Sequence, residues 1–312
     1  MSAQNVGENG QQKAVGDTTC SLYLTSLLHG HLTFFSVLNS FLSVTAFLGN
    51  AVILIALHKE SSLHPPSKLL LRSLATTDLC VGLIAEPLFV ASCMSIANEH
   101  WNMIRYAYAV GFTTAFIFCG VSVLTLTAIS VDRLLALLLG LRYRQVVTLK
   151  RTYVIVIAIW VVCTVSSATR FWNLLITVLC FIIVTSLCLV ISIFSYTKIF
   201  LTLRHHQNEV QDHVQQANQT NQLNIARYKK AVSTAIWLQL TLVACYLPCN
   251  LVVVLIRYSG VSSSLCNAWI YTTTLVFLNS SLNPILYCWK LEEVRQAVKD
   301  TIRQVLCFCF SS

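Results

Sequence analysis

Four stretches of this chain, Tyr106 to Val131, Phe171 to Thr197, Ala231 to Ile256 and Tyr258 to Trp289, contain no Asp, Glu, Lys or Arg. A helix rises about 1.5 Å per residue, so about 20 apolar residues cross the roughly 30 Å hydrocarbon layer of a bilayer. Each stretch is long enough. Lipid offers no partner for backbone amides, so segments of this kind must be helices and not open strands. Composition agrees: 56% of residues are hydrophobic, 11% are charged, and the mean hydropathy is +0.69. About 25% charged residues is usual for a soluble domain, and this chain cannot cover a water-facing surface with so few.

The pattern predicts seven spanning helices, at 32–57, 68–95, 104–138, 152–170, 173–201, 228–257 and 265–288. Residues 1–31 read as an outer N-terminal tail, 32–288 as the membrane domain, and 289–312 as an inner amphipathic helix and tail. The N-terminus has no basic segment leading into a short apolar one, so the first helix is expected to act as its own insertion signal. With the N-terminus outside, only Lys13, Arg105, Arg170 and Arg257 of the 21 Lys and Arg residues lie on the outer side. The others crowd the inner loops and tail, which is the positive-inside distribution. The net charge of +9 is then a topology signal and does not point to a nucleic-acid partner. The sequons at Asn218 and Asn279 fall in an inner loop and a span, so neither is expected to carry sugar.

Most of the 13 cysteines lie within spans, where a free thiol behaves as a small apolar group. Cys20, Cys93 and Cys266 face the outer side, and one pair among them is open. At the other end, Leu291, Val294, Val298, Ile302 and Val305 recur at helical spacing and predict an amphipathic helix on the inner surface. Cys307 and Cys309, just beyond, are candidates for S-palmitoylation, or are ordinary cysteines of an apolar tail.

Polar residues within spans are costly and therefore informative. Helix 1 carries Gly49-Asn50, helix 2 Leu74-Ala-Thr-Thr-Asp78, the end of helix 3 Asp132-Arg133-Leu134, and helix 4 Trp160. Helix 6 carries Cys245-Tyr-Leu-Pro248, and helix 7 carries Asn279-Ser-Ser-Leu-Asn283-Pro-Ile-Leu-Tyr287. Pro248 and Pro284 each remove a backbone hydrogen bond and create a place where a helix can bend. Arg133, always charged, suits either a local pair with Asp132, a cavity opened beneath helix 6, or a simple interfacial anchor.

Taken in order, these six signatures resemble the rhodopsin-like (class A) G-protein-coupled receptors across nearly the whole chain. The resemblance implies an all-α seven-helix membrane bundle at the plasma membrane. Such a protein binds an extracellular ligand and activates a heterotrimeric G protein, and no catalytic constellation is present. It implies coupling roles for Asp132, Arg133, Tyr196, Pro248, Asn283, Pro284 and Tyr287, with Lys229 and Lys230 on the inner side. It also implies a sodium pocket of Asp78, Ser122, Asn279 and Asn283, a set of hard oxygen donors. The alternative is a hydrogen-bonded Asp78 that only packs helices. By family position the ligand pocket would be lined by Glu86, Phe112, Ala115, Phe116, Cys119, Tyr246, Asn250 and Phe277, although aromatic residues at such spacing also serve plain helix packing.

Several positions depart from the family pattern. Leu134 replaces the tyrosine after the arginine, Tyr246 replaces a tryptophan, helix 5 has no proline, and Tyr228 stands where many members place a glutamate. Tyr108 occupies the place of the bridging cysteine, so that disulfide must be absent. The short second outer loop and the Leu63-His-Pro-Pro loop look most like the melanocortin, cannabinoid and adenosine-type branch. The melanocortin acidic cluster is nevertheless missing, because helix 3 presents Phe112 and Ala115. Ala115 also stands where amine receptors carry an aspartate, and Phe277 where light-sensing members carry lysine. A lipid, an odorant and a short peptide stay open as ligands. A seven-helix transporter or channel is the alternative function, but only Asp78 and Glu86 lie well within the spans, which is thin for a transport path.

Glu86 lies eight residues after Asp78, about 12 Å farther out along helix 2, and Pro87 follows it. Three readings stand: a pair with Arg170 or Arg257, recognition of a cationic ligand, or a neutral packed acid.

Overall fold

The structure is a computed structural model. It describes the backbone of residues 4–59, 63–98, 101–213, 219–290 and 292–311, and side chains chiefly within 30–59, 63–98, 109–202, 240–289 and 294–303. Among the described residues every regular element is helical. Seven long helices run in the expected order: α1 (Gln4–Lys59), α2 (Pro65–Ala97), α3 (Trp101–Leu139), α4 (Leu149–Ala168), α5 (Leu174–His213), α6 (Gln219–Ser259) and α7 (Ser263–Lys290). An eighth, α8 (Glu292–Ser311), follows.

Six of these helices are long and apolar enough to cross a membrane. The seventh, α7, is not among them, because Thr272, Thr273, Thr274, Asn279, Ser280, Ser281 and Asn283 lower its hydropathy. Most of these polar groups turn inward: Thr272, Thr274, Asn279, Ser280, Ser281 and Asn283 are all buried. The same inversion holds elsewhere. Val154, Ile157, Val161, Val165, Ile183, Val190 and Phe194 stand exposed, whereas Asn39, Asn50, Asp78, Glu86 and Ser122 are fully buried. A bundle with apolar flanks and a polar interior is what lipid selects.

The helix ends differ from the sequence reading in instructive ways. α1 begins at Gln4, so the backbone of the stretch expected as a tail continues the helix; no proline precedes Pro65 to interrupt it. α5 and α6 likewise continue past their apolar segments, to His213 and from Gln219. The turns after α3 and α6 each hold a glycine in the left-handed region, Gly140 at φ 49° and Gly260 at φ 77°, a conformation that lets a helix stop at little steric cost. Cys93 is a buried free thiol and Cys266 is buried, so these two outer-side candidates do not pair with each other. The side chains of Cys20, Lys229, Lys230, Cys307 and Cys309 lie outside the described residues.

α3 packs against α2, α4 and α5, and the ring is closed by α5 on α6, α6 on α7, α7 on α1, and α1 on α2. α8 lies against α1 and α7. Val294 and Val298 of its predicted apolar stripe are buried, but Ile302 is exposed.

Two prolines determine how α1 grips its neighbours. Pro87 has no N–H, and the turn before it is a π-helical one at Val81–Ala85, with the Glu86 N–H bonded to the Val81 carbonyl. This leaves the Gly82 carbonyl without its helical donor, and Ser43 Oγ of α1 donates to it at 2.6 Å. The approach is close because Gly82 has no side chain. A Cβ there would meet the Ser43 carbonyl oxygen and the Phe47 nitrogen at 2.8 Å each. Pro284 does the same in α7. It cannot bond the carbonyl four residues back, that of Ser280, and Asn50 Nδ2 donates to this oxygen at 3.0 Å and to the Ala46 carbonyl at 2.8 Å. Gly49 makes room for the proline ring, since a Cβ there would lie 3.1 Å from Pro284 Cγ.

Two outcomes follow from these seams. Gly82→Ala is expected to destabilise the bundle by about 1–3 kcal/mol, because the new methyl meets backbone and not a flexible side chain. Gly30→Ala, with nothing within 4 Å, should be close to neutral. Thermal unfolding in nanodiscs compares the two, and equal effects would refute the close contact. Separately, Asn50→Ala should cost less in a Pro284→Ala background, where α7 regains an N–H for the Ser280 carbonyl. A double-mutant cycle on unfolding should give a coupling of about 0.5–3 kcal/mol, and additivity would contradict the pairing.

Candidate functional site

α3 is the axis on which the polar interior is hung. Phe112, Phe116, Cys119, Ser122, Ser130 and Arg133 lie three or four residues apart, and the larger gap between Ser122 and Ser130 is eight, close to two turns. They therefore recur along one side of the helix. Their partners come from α2, α5, α6 and α7.

At mid-height, Asp78 of α2 is completely buried and its carboxylate is fully engaged. Ser122 Oγ donates to Oδ1 at 3.0 Å and Ser280 Oγ to the same oxygen at 2.9 Å, while Asn283 Nδ2 donates to Oδ2 at 2.7 Å. Three helices thus converge on one charge. The sequence reading grouped Asp78 with Ser122, Asn279 and Asn283. The structure unites it with Ser122 and Asn283 but not with Asn279, whose buried Nδ2 has no hydrogen-bond partner. Ser280 stands in its place. Its spacing, three residues before Asn283 on the same helical face, was the signal available for it.

At the Arg133 end, Asp132 is buried and its two oxygens are taken by hydroxyls. Tyr143 Oη donates to Oδ1 at 2.6 Å and Ser67 Oγ to Oδ2 at 2.9 Å. The local pair with Arg133 is therefore replaced by a hydroxyl clamp, in which Ser67 sits in the first turn of α2 and Tyr143 in a short helical turn after α3. The Tyr143 ring also packs on His64, at 5.1 Å between centroids. Sequence reasoning missed Ser67 and Tyr143, because only the reversal of the chain at Gly140 carries the tyrosine back. Arg133 itself is half-buried. Tyr196 of α5 is buried and accepts from Ser130 Oγ at 3.0 Å. Tyr287 of α7 is buried with its hydroxyl unpartnered.

At the Glu86 end, the candidate pocket residues divide into three groups. Tyr246 is buried and donates from Oη to the Cys119 carbonyl at 3.3 Å, joining α6 to α3. Asn250, one turn farther on, accepts from Thr185 Oγ1 of α5 at 2.8 Å. Phe112 and Phe116 stack at 6.3 Å, Phe116 meets Phe181 of α5 at 5.6 Å, and the Arg170 guanidinium lies 4.4 Å above the Phe112 ring. Ala115 is half-buried against the core, and Phe277 is buried against Phe89 at 5.3 Å. Glu86 is completely buried, and neither carboxylate oxygen has a hydrogen-bond partner. The expected pair with Arg170 or Arg257 is not formed: Arg170 lies over an aromatic ring and Arg257 is exposed at the end of α6.

Comparison with known proteins gives a consistent answer. The family model described as the 7 transmembrane receptor (rhodopsin family) matches residues 49–171 and 162–287. The chain is similar to melanocortin receptor 3 of Homo sapiens, 25% identical over 276 residues, which span 86% of this chain and 84% of that receptor. It is also similar to melanocortin receptor 5 of Rattus norvegicus (25% identical, 84% of this chain and 82% of that receptor) and of Mus musculus (24%, with the same coverage). The six sequence signatures, the converging polar interior and the family match over most of the chain lead to one assignment: this protein belongs to the rhodopsin family of seven-transmembrane receptors.

Proposed function

We propose that this receptor sits in the plasma membrane with its N-terminus outside. It takes its ligand between α2, α3, α6 and α7 at the Glu86 end, and activates a heterotrimeric G protein at the Arg133 end. The observation that carries this reading is the state of Asp132. With both of its oxygens held by Ser67 and Tyr143, the neighbouring guanidinium is left to act toward α5, α6 or a partner. The Lys and Arg residues of the inner loops, Lys229 and Lys230 among them, supply the basic surface around it. Pro248 and Pro284 are the places where α6 and α7 bend. Tyr196 and Tyr287 are the hydroxyls that rearrange around Arg133 when they do. Residues 1–31 form the outer segment and 289–312 the inner one, where Cys307 and Cys309 would carry palmitate.

The ligand of the similar melanocortin receptors is not carried over to this chain, because Phe112 and Ala115 replace the acidic cluster of that branch. The pocket walls are instead aromatic and apolar, as small-molecule sites commonly are.

A sodium ion suits the Asp78 centre by the chemistry of its donors. Asp78, Ser122 and Ser280 contribute oxygens, and the two hydroxyls can turn from donating to accepting. When bound, the ion would supply a positive charge that keeps Asp78 ionised and holds α2, α3 and α7 in the resting arrangement. Those residues, with Asn283, do the holding.

Two measurements test this reading. Arg133→Ala should reduce nucleotide exchange on reconstituted G protein to the receptor-free rate while surface expression persists; unchanged exchange would remove Arg133 from the coupling role. Sodium, added against an equal concentration of a large organic cation, should lower basal exchange, and Asp78→Asn should abolish that effect. Coupling of this kind is about 1–3 kcal/mol, or roughly 5–150-fold. If basal exchange ignores sodium in the unmodified receptor, Asp78 only packs helices.

A further inference from the structure

Two acids lie in the interior of α2, and the bundle treats them in opposite ways. Asp78 receives three hydrogen bonds from α3 and α7. Glu86, just as deeply buried, receives none on either oxygen among the described residues. Loss of its charge would not resolve this. A neutral carboxyl group still has one O–H to donate and one C=O to accept, and the chain offers a partner to neither. A buried carboxyl group with no partner in either form is costly unless something outside the chain supplies one.

The surroundings say what that something is. Phe89 lies one turn beyond Glu86 on the same face of α2, and its ring meets Phe277 at 5.3 Å and Trp269 at 6.2 Å, each edge to face. An aromatic cluster one helical turn from a carboxylate suits a compact organic cation, which can donate a charge-assisted hydrogen bond to the acid and make a cation–π contact with a ring. Of the outer-side cations among the described residues, Arg170 lies over Phe112 and Arg257 is exposed. The place is set by backbone chemistry. The π-helical turn at Val81–Ala85, forced by Pro87 and tied to α1 through Ser43, changes the angular position of every residue beyond it, Glu86 included.

We propose that Glu86 is the anchor for the charged end of the ligand, and that this end is an ammonium or guanidinium group received from α2 beside Phe89, Trp269 and Phe277. The proposal rests on the receptor reading above and names its ligand class. It differs from the amine-receptor arrangement, in which the acid is on helix 3 at the place of Ala115.

The test uses purified full-length receptor in nanodiscs without G protein, followed by thermal unfolding. The probes are benzylguanidine and its neutral isostere benzylurea, with phenethylamine as the ammonium case. Acetyl-Gly-Arg-Gly-amide and its citrulline counterpart represent a peptide source of the same chemistry. Benzylguanidine or phenethylamine is expected to raise the unfolding midpoint of the wild type by several degrees, and benzylurea to leave it unchanged. Glu86→Gln should abolish the response. A response confined to the arginine peptide supports the same anchor with a peptide ligand. Equal effects of charged and neutral probes, no response to any charged probe, or an undiminished response in Glu86→Gln would overturn it. Should Glu86→Gln fail to reach the surface, Glu86→Asp keeps the charge but withdraws it by one methylene. It should weaken the charged probes by about tenfold or more, and unchanged affinity overturns the proposal. Because no G protein is present, a receptor that binds through Glu86 but never promotes exchange retains the anchor and loses only the coupling role.

Discussion

Bringing a carboxylate into the middle of a bilayer is among the least favourable things a chain can do, and the bundle is organised around having done it at Asp78. Hydrogen bonds to a charged acceptor contribute about 1.5–3 kcal/mol each, and three of them converge on this group from Ser122, Ser280 and Asn283. No single helix could supply them. The requirement that Asp78 be satisfied therefore fixes the rotation of α2, α3 and α7 about their own axes, and the adjoining residues inherit that setting. Ser280 is used twice: its hydroxyl serves Asp78 and its carbonyl receives Asn50. The charge centre and the α1 seam are thereby one connected network.

The prolines work by the same accounting of backbone groups. A proline in a membrane helix frees a carbonyl that lipid cannot hydrate, so a side chain from the next helix has to reach it. Ser43 does this for α2 and Asn50 for α7, and in both cases a glycine, Gly82 or Gly49, lies at the point of closest approach. What reads in the sequence as a set of separate signatures is, in three dimensions, a pair of carbonyl repairs and one buried charge.

This explains which parts were legible beforehand. Long charge-poor runs mark the spans, because lipid excludes charge, whereas Asp78, Ser122 and Asn283 are grouped beforehand only by the resemblance to the receptor family. Helix ends were less legible. Nothing in the polar stretches flanking α1, α5 and α6 forbids helix, so they continue where hydropathy alone suggests a stop. The Arg133 end misled for a different reason. Adjacent opposite charges suggest an ion pair, but Asp132 and Arg133 are successive residues of a helix and point in different directions. The acid was free to find Ser67 and Tyr143, neither of which carries a periodic or charge signal. Asn279 failed for a related reason: motif position named it, but the face of α7 turned toward Asp78 belongs to Ser280 and Asn283.

The polar ties among the described residues also differ in kind from helix to helix. α1, α2, α3 and α7 are joined by buried bonds to a charge or to freed carbonyls, and separating them would strand each group in lipid. α6 is held differently. Its polar links to other helices among the described residues include the Tyr246 hydroxyl on the Cys119 carbonyl, at a long 3.3 Å, Asn250 receiving Thr185, and Cys249 with Thr272. These are neutral bonds, contributing about 0.5–1.5 kcal/mol each, and they bracket Pro248. Toward the Arg133 end, α5 is tied to α3 through Tyr196 and Ser192. A ligand that competes for Tyr246 or Asn250 therefore acts on a neutral polar seam between α6 and its neighbours. Pro248 lies between Tyr246 and Asn250, so a change in either bond acts at the place where α6 can bend.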